Sequence, residues 1–204
     1  MVNAQNARMG EIMKKRVLAL MLAVSLALVG CGGKENEKET TNGADSGSSA
    51  QIQDASMTVI HDAVKAAYGE NYLPSMPYDD TSLQDVFGVD PEWCEEYIAE
   101  GPMISAHVDT FVGIKAKSEE DKNKVLGALE EYRNYLINDS FQYPANVMKV
   151  QASEVISFED YVFFLMLGTV PMEVEEQGDD AILAEAEAQN QIAVEAIRGV
   201  LYTK

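Results

Sequence analysis

Few residues in this chain have the type and spacing that chemistry needs. The histidines are His61 and His107, and Cys94 lies between them in the aromatic-bearing part of the sequence. A reactive thiol needs a neighbouring cation to lower its pKa. No Lys or Arg flanks Cys94, which follows Trp93 on an apolar side, where a free cysteine behaves as a small hydrophobe. Acidic pairs abound: Asp79-Asp80, Glu95-Glu96, Glu130-Glu131, Glu159-Asp160, Glu175-Glu176 and Asp179-Asp180. Two carboxylates across a cleft can cleave a glycosidic bond, but residues adjacent in sequence rarely face one cleft, and the abundance singles out no pair. The sequence contains no Gly-x-Ser-x-Gly, Ser-x-x-Lys, His-Glu-x-x-His, Cys-x-x-Cys, Walker loop or Gly-x-Gly-x-x-Gly. Residues 150–197 hold eleven Asp or Glu and no Lys or Arg. They lack EF-hand spacing and read as a solvated acidic face. The expectation is therefore no catalytic set, no metal ligands and no cofactor. The one binding candidate is aromatic: Tyr68, Tyr72 and Tyr78, interleaved with Pro74 and Pro77. Tyrosine presents an apolar body with a polar tip, so this stretch suits a partner surface, or else a loop folded over the preceding helix.

Charge narrows the partners. Fifteen Lys and Arg stand against 34 Asp and Glu, a net charge of −19. Such a chain repels phosphate backbones and anionic headgroups, which excludes nucleic-acid binding through a basic patch. The N-terminus departs from this balance. Met13-Lys14-Lys15-Arg16 is basic, and residues 17–29 form an uncharged apolar run. As a helix the run spans about 20 Å, too short for the ~30 Å hydrocarbon core but suited to a signal-peptide h-region. Leu28-Val29-Gly30-Cys31 closes it and resembles the lipobox of bacterial lipoproteins. That resemblance implies a diacylglycerol on the Cys31 thiol and cleavage between Gly30 and Cys31. Glu11, Asn3, Gln5 and Asn6 do not suit a signal peptide, so Met13 is the more natural start. Removing residues 1–30 takes away four basic residues and one acidic one, leaving 11 against 33 and a net charge of −22. Attachment to a membrane is then expected through lipid rather than charge. With Cys31 lipidated, Cys94 has no disulfide partner.

Residues 31–54 read as the lipidated cysteine and a flexible tether of about 25 Å reach, since they carry almost nothing apolar. All sixteen aromatic residues lie beyond position 55, so residues 55–204 are expected to form one domain. Periodicity predicts a first helix capped by Asp54 or Ser56, with Ile60, Ala63, Val64 and Ala67 inward, His61 on its polar face and Gly69 at its end. Residues 70–80 read as a loop and residues 83–87 as a short helix stopped by Gly88. Asp90 and Pro91 open another predicted helix carrying Trp93, Cys94 and Tyr97, ended by Gly101-Pro102. Residues 103–108 read as extended. Residues 111–117 alternate as a half-buried strand, with Lys115 and Lys117 outward. Ser118 caps a helix with Val125, Leu129, Tyr132 and Leu136 on one stripe. Residues 146–152 suit a helical turn or extended chain. Residues 154–157 and 161–167 predict a hairpin whose second strand is apolar on both faces, hence interior. Asp179 or Asp180 caps a last helix with Ile182, Ala186, Ala193, Ile197 and Val200 inward.

The predicted fold is α+β: a sheet of three to four strands in a strand–helix–strand–strand–helix core, covered by helices and preceded by short ones. The motif order from Leu83-Gln84-Asp85-Val86-Phe87-Gly88-Val89-Asp90, through Glu95-Glu96-Tyr97-Ile98 and Gly101-Pro102-Met103, to Val112-Gly113-Ile114-Lys115-Ala116-Lys117, Tyr143-Pro144 and Tyr161-Val162 is similar to a family of Gram-positive bacterial lipoproteins catalogued as a domain of unknown function. The resemblance covers residues 80–200. It implies a lipid-anchored protein on the outer face of the cell membrane and supplies no catalytic residues. The expected function is a non-catalytic module binding a protein, a cell-wall component or a small molecule. The alternatives are a carboxylate-dependent cell-wall hydrolase and a small solute-binding lipoprotein.

Overall fold

A computed structural model describes residues 52–202. Cys31, the signal-peptide segment and the tether up to residue 51 lie outside the described residues. Among those described, six helices and five strands alternate: α1 (Met57–Tyr68), β1 (Pro74–Pro77), α2 (Asp80–Phe87), β2 (Cys94–Pro102), β3 (Thr110–Ala116), α3 (Glu119–Asn138), α4 (Val147–Ala152), β4 (Glu154–Phe158), β5 (Tyr161–Met166), α5 (Met172–Glu175) and α6 (Asp179–Leu201). The strands form one antiparallel sheet in the order β1-β2-β3-β5-β4. The fold is thus α+β as expected, with five strands rather than three or four. β3 and β4 both run antiparallel to β5, so β3–α3–β4 is a split β-α-β unit with β5 inserted between its strands.

Helices cover both faces of the sheet. Met57, Ile60 and Val64 of α1 and Ala193, Val194, Ile197 and Leu201 of α6 pack on Phe111, Phe163 and Leu165. Leu83 and Phe87 of α2 and Val125 and Leu129 of α3 pack on Val112, Ile114, Val162, Phe164 and Met166. The two-residue period of β3 and β5 therefore feeds two cores, and both strands are buried along their whole length. That confirms β5 as interior and corrects β3, which was expected to be half-buried. Lys115 points not to open solvent but beneath the chain at Asp54. Gly113 permits the approach of α1: a Cβ there would lie 2.6 Å from Met57 Sδ.

Local signals set the helix ends. The Ser56 hydroxyl accepts from the Val59 amide, and the Asp79 carboxylate accepts from the Ser82 amide at 2.9 Å. Ser118 Oγ accepts from the Asp121 amide at 3.1 Å, as an N-cap does, and donates to the Asp121 carboxylate at 2.7 Å, which thus answers the cap's hydroxyl rather than its backbone amide. Gly88 ends α2 in the left-handed conformation. At α6 the cap is Gly178, and the expected caps Asp179 and Asp180 lie in the first turn, where the helix dipole favours acids. Its inner face also shifts: Ile182 and Val200 are half-buried, while Asn190, Val194 and Leu201 complete the stripe.

Three further expectations are corrected. The helix expected across Trp93, Cys94 and Tyr97 is a 3-10 turn at Pro91–Trp93 followed by the nine-residue strand β2. A register shift between Cys94 and Glu96 breaks the strand's alternation. Beyond it Glu96, Ile98 and Glu100 face α1. Residues 103–108 form a turn rather than extended chain, with Met103 and Ile104 exposed. The loop expected at residues 70–80 contains β1, an edge strand bounded by prolines at both ends.

Candidate functional site

His61 does not lie on a polar face. It is 6% exposed, packed on Phe111 with ring centroids 5.1 Å apart. Its Nε2 is 3.0 Å from Tyr72 Oη and 3.0 Å from Glu100 Oε2, and the Tyr72 hydroxyl donates to the same carboxylate oxygen at 3.1 Å. An ionised carboxylate only accepts, so Nε2 must carry the proton. The register of β2 aims Glu100 at α1, and the turn after Gly69 returns Tyr72 beneath it. Burial, then the Glu100 charge, push the Tyr72 hydroxyl well above its ordinary pKa. These three groups have the types of an acid–base site, yet their hydrogen bonds close on one another.

The three tyrosines singled out in the sequence do not share a surface. Tyr68 is buried and donates to the Gln189 carbonyl of α6 at 2.5 Å. Tyr72 lies beside it, with centroids 6.4 Å apart. Tyr78 belongs to the opposite core, stacked edge-on against Phe87. Cys94 and His107 are not brought together: Cys94 opens β2, whereas His107 is exposed in the loop beyond the other end of that strand. Burial pushes the Cys94 thiol up to about 11, so it is protonated and inert at neutral pH. Among the described residues no three His, Cys, Asp or Glu side chains are grouped to hold a metal ion.

Two constellations were not anticipated. At the end of the sheet that carries the start of β3 and the end of β5, Lys149 Nζ donates to Asp109 Oδ1 at 2.5 Å and to the Gly168 carbonyl. Asp109 is 1% exposed, and its Oδ2 has no hydrogen-bond partner. Desolvation lowers the Lys149 ammonium pKa. The sequence signal is present but faint: Lys149 is a lone cation between Met148 and Val150, and Asp109 interrupts the apolar approach to β3. Gly168, at φ 90°, lies where a Cβ would meet Gln189 Cβ at 2.6 Å, which brings its carbonyl under α4.

The second constellation surrounds the first residues of β4, the strand at the other edge of the sheet from β1. A groove of about 300 Å³ runs between this strand and α3, lined by Glu130, Arg133, Asn134, Ser153, Glu154 and Val155. A second, of about 460 Å³, separates it from α6, with Gln151, Glu187 and Gln191 on its walls. Arg133 stands between the two. Its guanidinium donates to the Ser153 carbonyl and, at 3.0 Å, to the Gln151 carbonyl, so it closes the C-terminal end of α4. Glu154 receives a hydrogen bond from Gln191 at 3.3 Å. Burial raises its pKa, with Arg133 opposing and the nearby Glu187 charge adding to the shift. Here polar groups meet solvent on both sides of an unpaired strand edge.

No curated protein and no solved structure matches the chain. A family model matches from the last turn of α1 to the residue after β5, a span that includes all five strands, Tyr72, Glu100, Asp109, Lys149, Arg133 and Glu154 but neither His61 nor α6. Residues 67–167 are a DUF4358 domain, a domain of unknown function.

Proposed function

We propose that this chain is a lipid-anchored lipoprotein on the outer face of the cell membrane, whose folded domain is a non-catalytic binding module. The anchoring part rests on the order basic cluster, short apolar run, Gly30, Cys31. Among the described residues no helix is long and apolar enough to cross a membrane. One observation carries the binding part: the groups able to do chemistry are spent on each other. His61, Tyr72 and Glu100 form a closed triangle, Lys149 holds Asp109, and Cys94 is buried. The pair of grooves along β4 stays open to solvent. Asp54 and Ala55 are held at the end of the sheet bearing the β4–β5 turn. The exposed Met103, Ile104, Phe141, Tyr143 and Met172 lie at the opposite end.

A second reading has one observation in its favour. Glu154, whose pKa burial raises, and Glu187 line one groove, and two carboxyl groups across a groove are what glycoside hydrolysis uses. The test of anchoring is metabolic labelling with a fatty acid and fractionation of cells producing the full chain or Cys31→Ala. Label and membrane association are expected for the first and neither for the second; an unlabelled wild-type chain in the cytosol overturns anchoring. For the domain, the full chain is incubated with purified peptidoglycan. Soluble fragments lost in Glu154→Gln would establish the hydrolase reading, and their absence is expected.

A further inference from the structure

We propose that the free edge of β4 takes up an extended, positively charged peptide segment of a partner as a sixth strand. The proposal rests on the reading of the domain as a binding module and is independent of the anchor. It names the partner class for that module.

The register leaves the edge chemically open. The β4–β5 turn holds two residues, Glu159 and Asp160, and Phe158 pairs with Tyr161 across it. That makes Phe158–Tyr161 a hydrogen-bonded pair, so by alternation Ile156 and Glu154 also direct their amides and carbonyls to β5. Val155 and Ser157 direct theirs outward. Among the described residues neither makes a backbone hydrogen bond outside the sheet. Exposed strand edges are usually blunted by proline, lysine, shortness or a bulge. The opposite edge follows that rule: β1 has four residues, begins and ends with proline, and carries a register irregularity. β4 reads Glu-Val-Ile-Ser-Phe, with no proline and no lysine. One edge of the sheet is protected and the other is not.

The flanks supply the recognition. An added strand points successive side chains to opposite faces, and at β4 each face has its own groove, one walled by α3 and one by α6. Glu130 lines the first, Glu187 the second, and Glu154 both. None of these carboxylates is in an ion pair among the described residues. The one cation of the grooves, Arg133, is committed to the Ser153 and Gln151 carbonyls. A strand with lysine or arginine on either face would meet an unpaired carboxylate in either groove. The same charges oppose a second copy of this chain, since edge-to-edge pairing of two β4 strands would set like-charged grooves side by side.

The experiment uses the full chain in detergent micelles and a peptide of about eight residues alternating Lys and Val, long enough to span a strand. Three companions are measured with it: a Glu–Val peptide, a Lys–Val peptide N-methylated at every backbone nitrogen so that neither edge keeps a donor, and the Val155→Pro variant of the protein. Binding of the Lys–Val peptide is expected, with slowed amide exchange at Val155 and Ser157. N-methylation keeps the charge but removes ladder donors, and should weaken binding about tenfold or more. Val155→Pro removes an outward donor and should weaken it comparably, and Glu154→Gln with Glu187→Gln by severalfold. The Glu–Val peptide should not bind. Equal binding of the methylated peptide would show mere attraction to an acidic surface and overturn the proposal. So would absence of binding, exchange protection elsewhere, or concentration-dependent dimers protected at β4 without peptide. The methylated peptide leaves the protein untouched, so the outcome stands even if Val155→Pro fails to fold. If the peptide fails while peptidoglycan still co-sediments with the protein, the binding module survives and only its partner class falls.

Discussion

Lys149 and Asp109 meet where the carboxylate has no water to fall back on and the ammonium has little. The carboxylate is 1% exposed, and the ammonium reaches it at 2.5 Å while also donating to the Gly168 carbonyl. Taking two such charges out of water costs nearly as much as their attraction returns, so the pair contributes little net stability, whereas removing one partner strands the other. Lys149→Met is expected to cost about 3–5 kcal/mol, read from the urea midpoint. Asp109→Leu combined with Lys149→Met should recover most of that loss. A double variant no more stable than the single one would mean that the pair specifies this packing rather than merely tolerating burial. The unpartnered Asp109 Oδ2 points the same way, because an orphaned buried oxygen is relieved when the carboxylate is removed. His61 contrasts with it: its ring packs on Phe111, while its Nε2 meets polar groups that answer one another and so joins α1 to β2.

At the scale of elements, what was legible follows from how local each signal is. The N-cap at Ser118, the stop at Gly88 and the Glu159-Asp160 hairpin are set within a few residues, and all three stand in the structure. β5 was legible because an apolar run of six residues has room only inside a sheet. β2 was not. Glu and Ala favour helices, and the bulge after Cys94 hides the two-residue period. Two glutamates of β2 are used inward: the Glu96 carboxylate accepts from the Met57 amide at 2.7 Å, at the positive end of α1, and Glu100 accepts from His61. Such roles depend on a helix 39 residues earlier in the chain, so spacing cannot reveal them. The grooves at β4 were equally hidden, since strand order decides which strand is an edge. Asn190 belongs to this class. It is 1% exposed in the inner stripe of α6, where its Oδ1 accepts from the Leu167 amide and its Nδ2 donates to the Ala152 carbonyl, both at 2.8 Å. It thereby ties α6 to the ends of β5 and α4. Asn190→Ala should cost about 2–4 kcal/mol, because two buried backbone groups lose their partners. Faster exchange of the Leu167 amide should accompany the loss. A cost below about 1 kcal/mol would mean that the apolar stripe alone holds the helix.

For the molecule as a whole, the junction at residues 52–57 decides how the domain is carried. The Gln53 amide donates to the Leu201 carbonyl at 2.8 Å, so the beginning and end of the described fold are bonded together. The Ala55 amide donates to Tyr161 Oη, which also lies 2.8 Å from the Ala55 carbonyl and 3.0 Å from Asp54 Oδ1. Lys115 Nζ donates to Asp54 at 2.8 Å and to Glu95 at 3.0 Å. A pull on the chain from its N-terminal side would therefore load the middle of the sheet rather than a frayed helix end. The clamp has a definite pH window. Hydrogen bonding to Lys115, then to Tyr161, holds the Asp54 carboxyl below the usual carboxylate range, while Asp54 and Glu95 hold the Lys115 ammonium above the usual lysine range. A depressed acid stabilises above its unfolded pKa of about 3.9 and loses that contribution as pH falls through its folded value. A raised lysine stabilises below its unfolded pKa of about 10.4 and loses it as pH rises through its folded value. Between those limits the junction is at full strength. A chain beginning at residue 52 should accordingly melt like the full chain at neutral pH. One beginning at residue 58 should melt lower, because it strips Lys115 of Asp54 and removes Met57 from the core. Tyr161→Phe in the full chain isolates the junction itself. Its amide exchange should quicken at Ala55 and Met57 while the α6 amides stay protected, and acidification below about pH 4 should reproduce that local opening in the wild-type chain. Equal melting of the two truncated chains would show instead that the domain holds together from α1 onward and that the junction transmits no load.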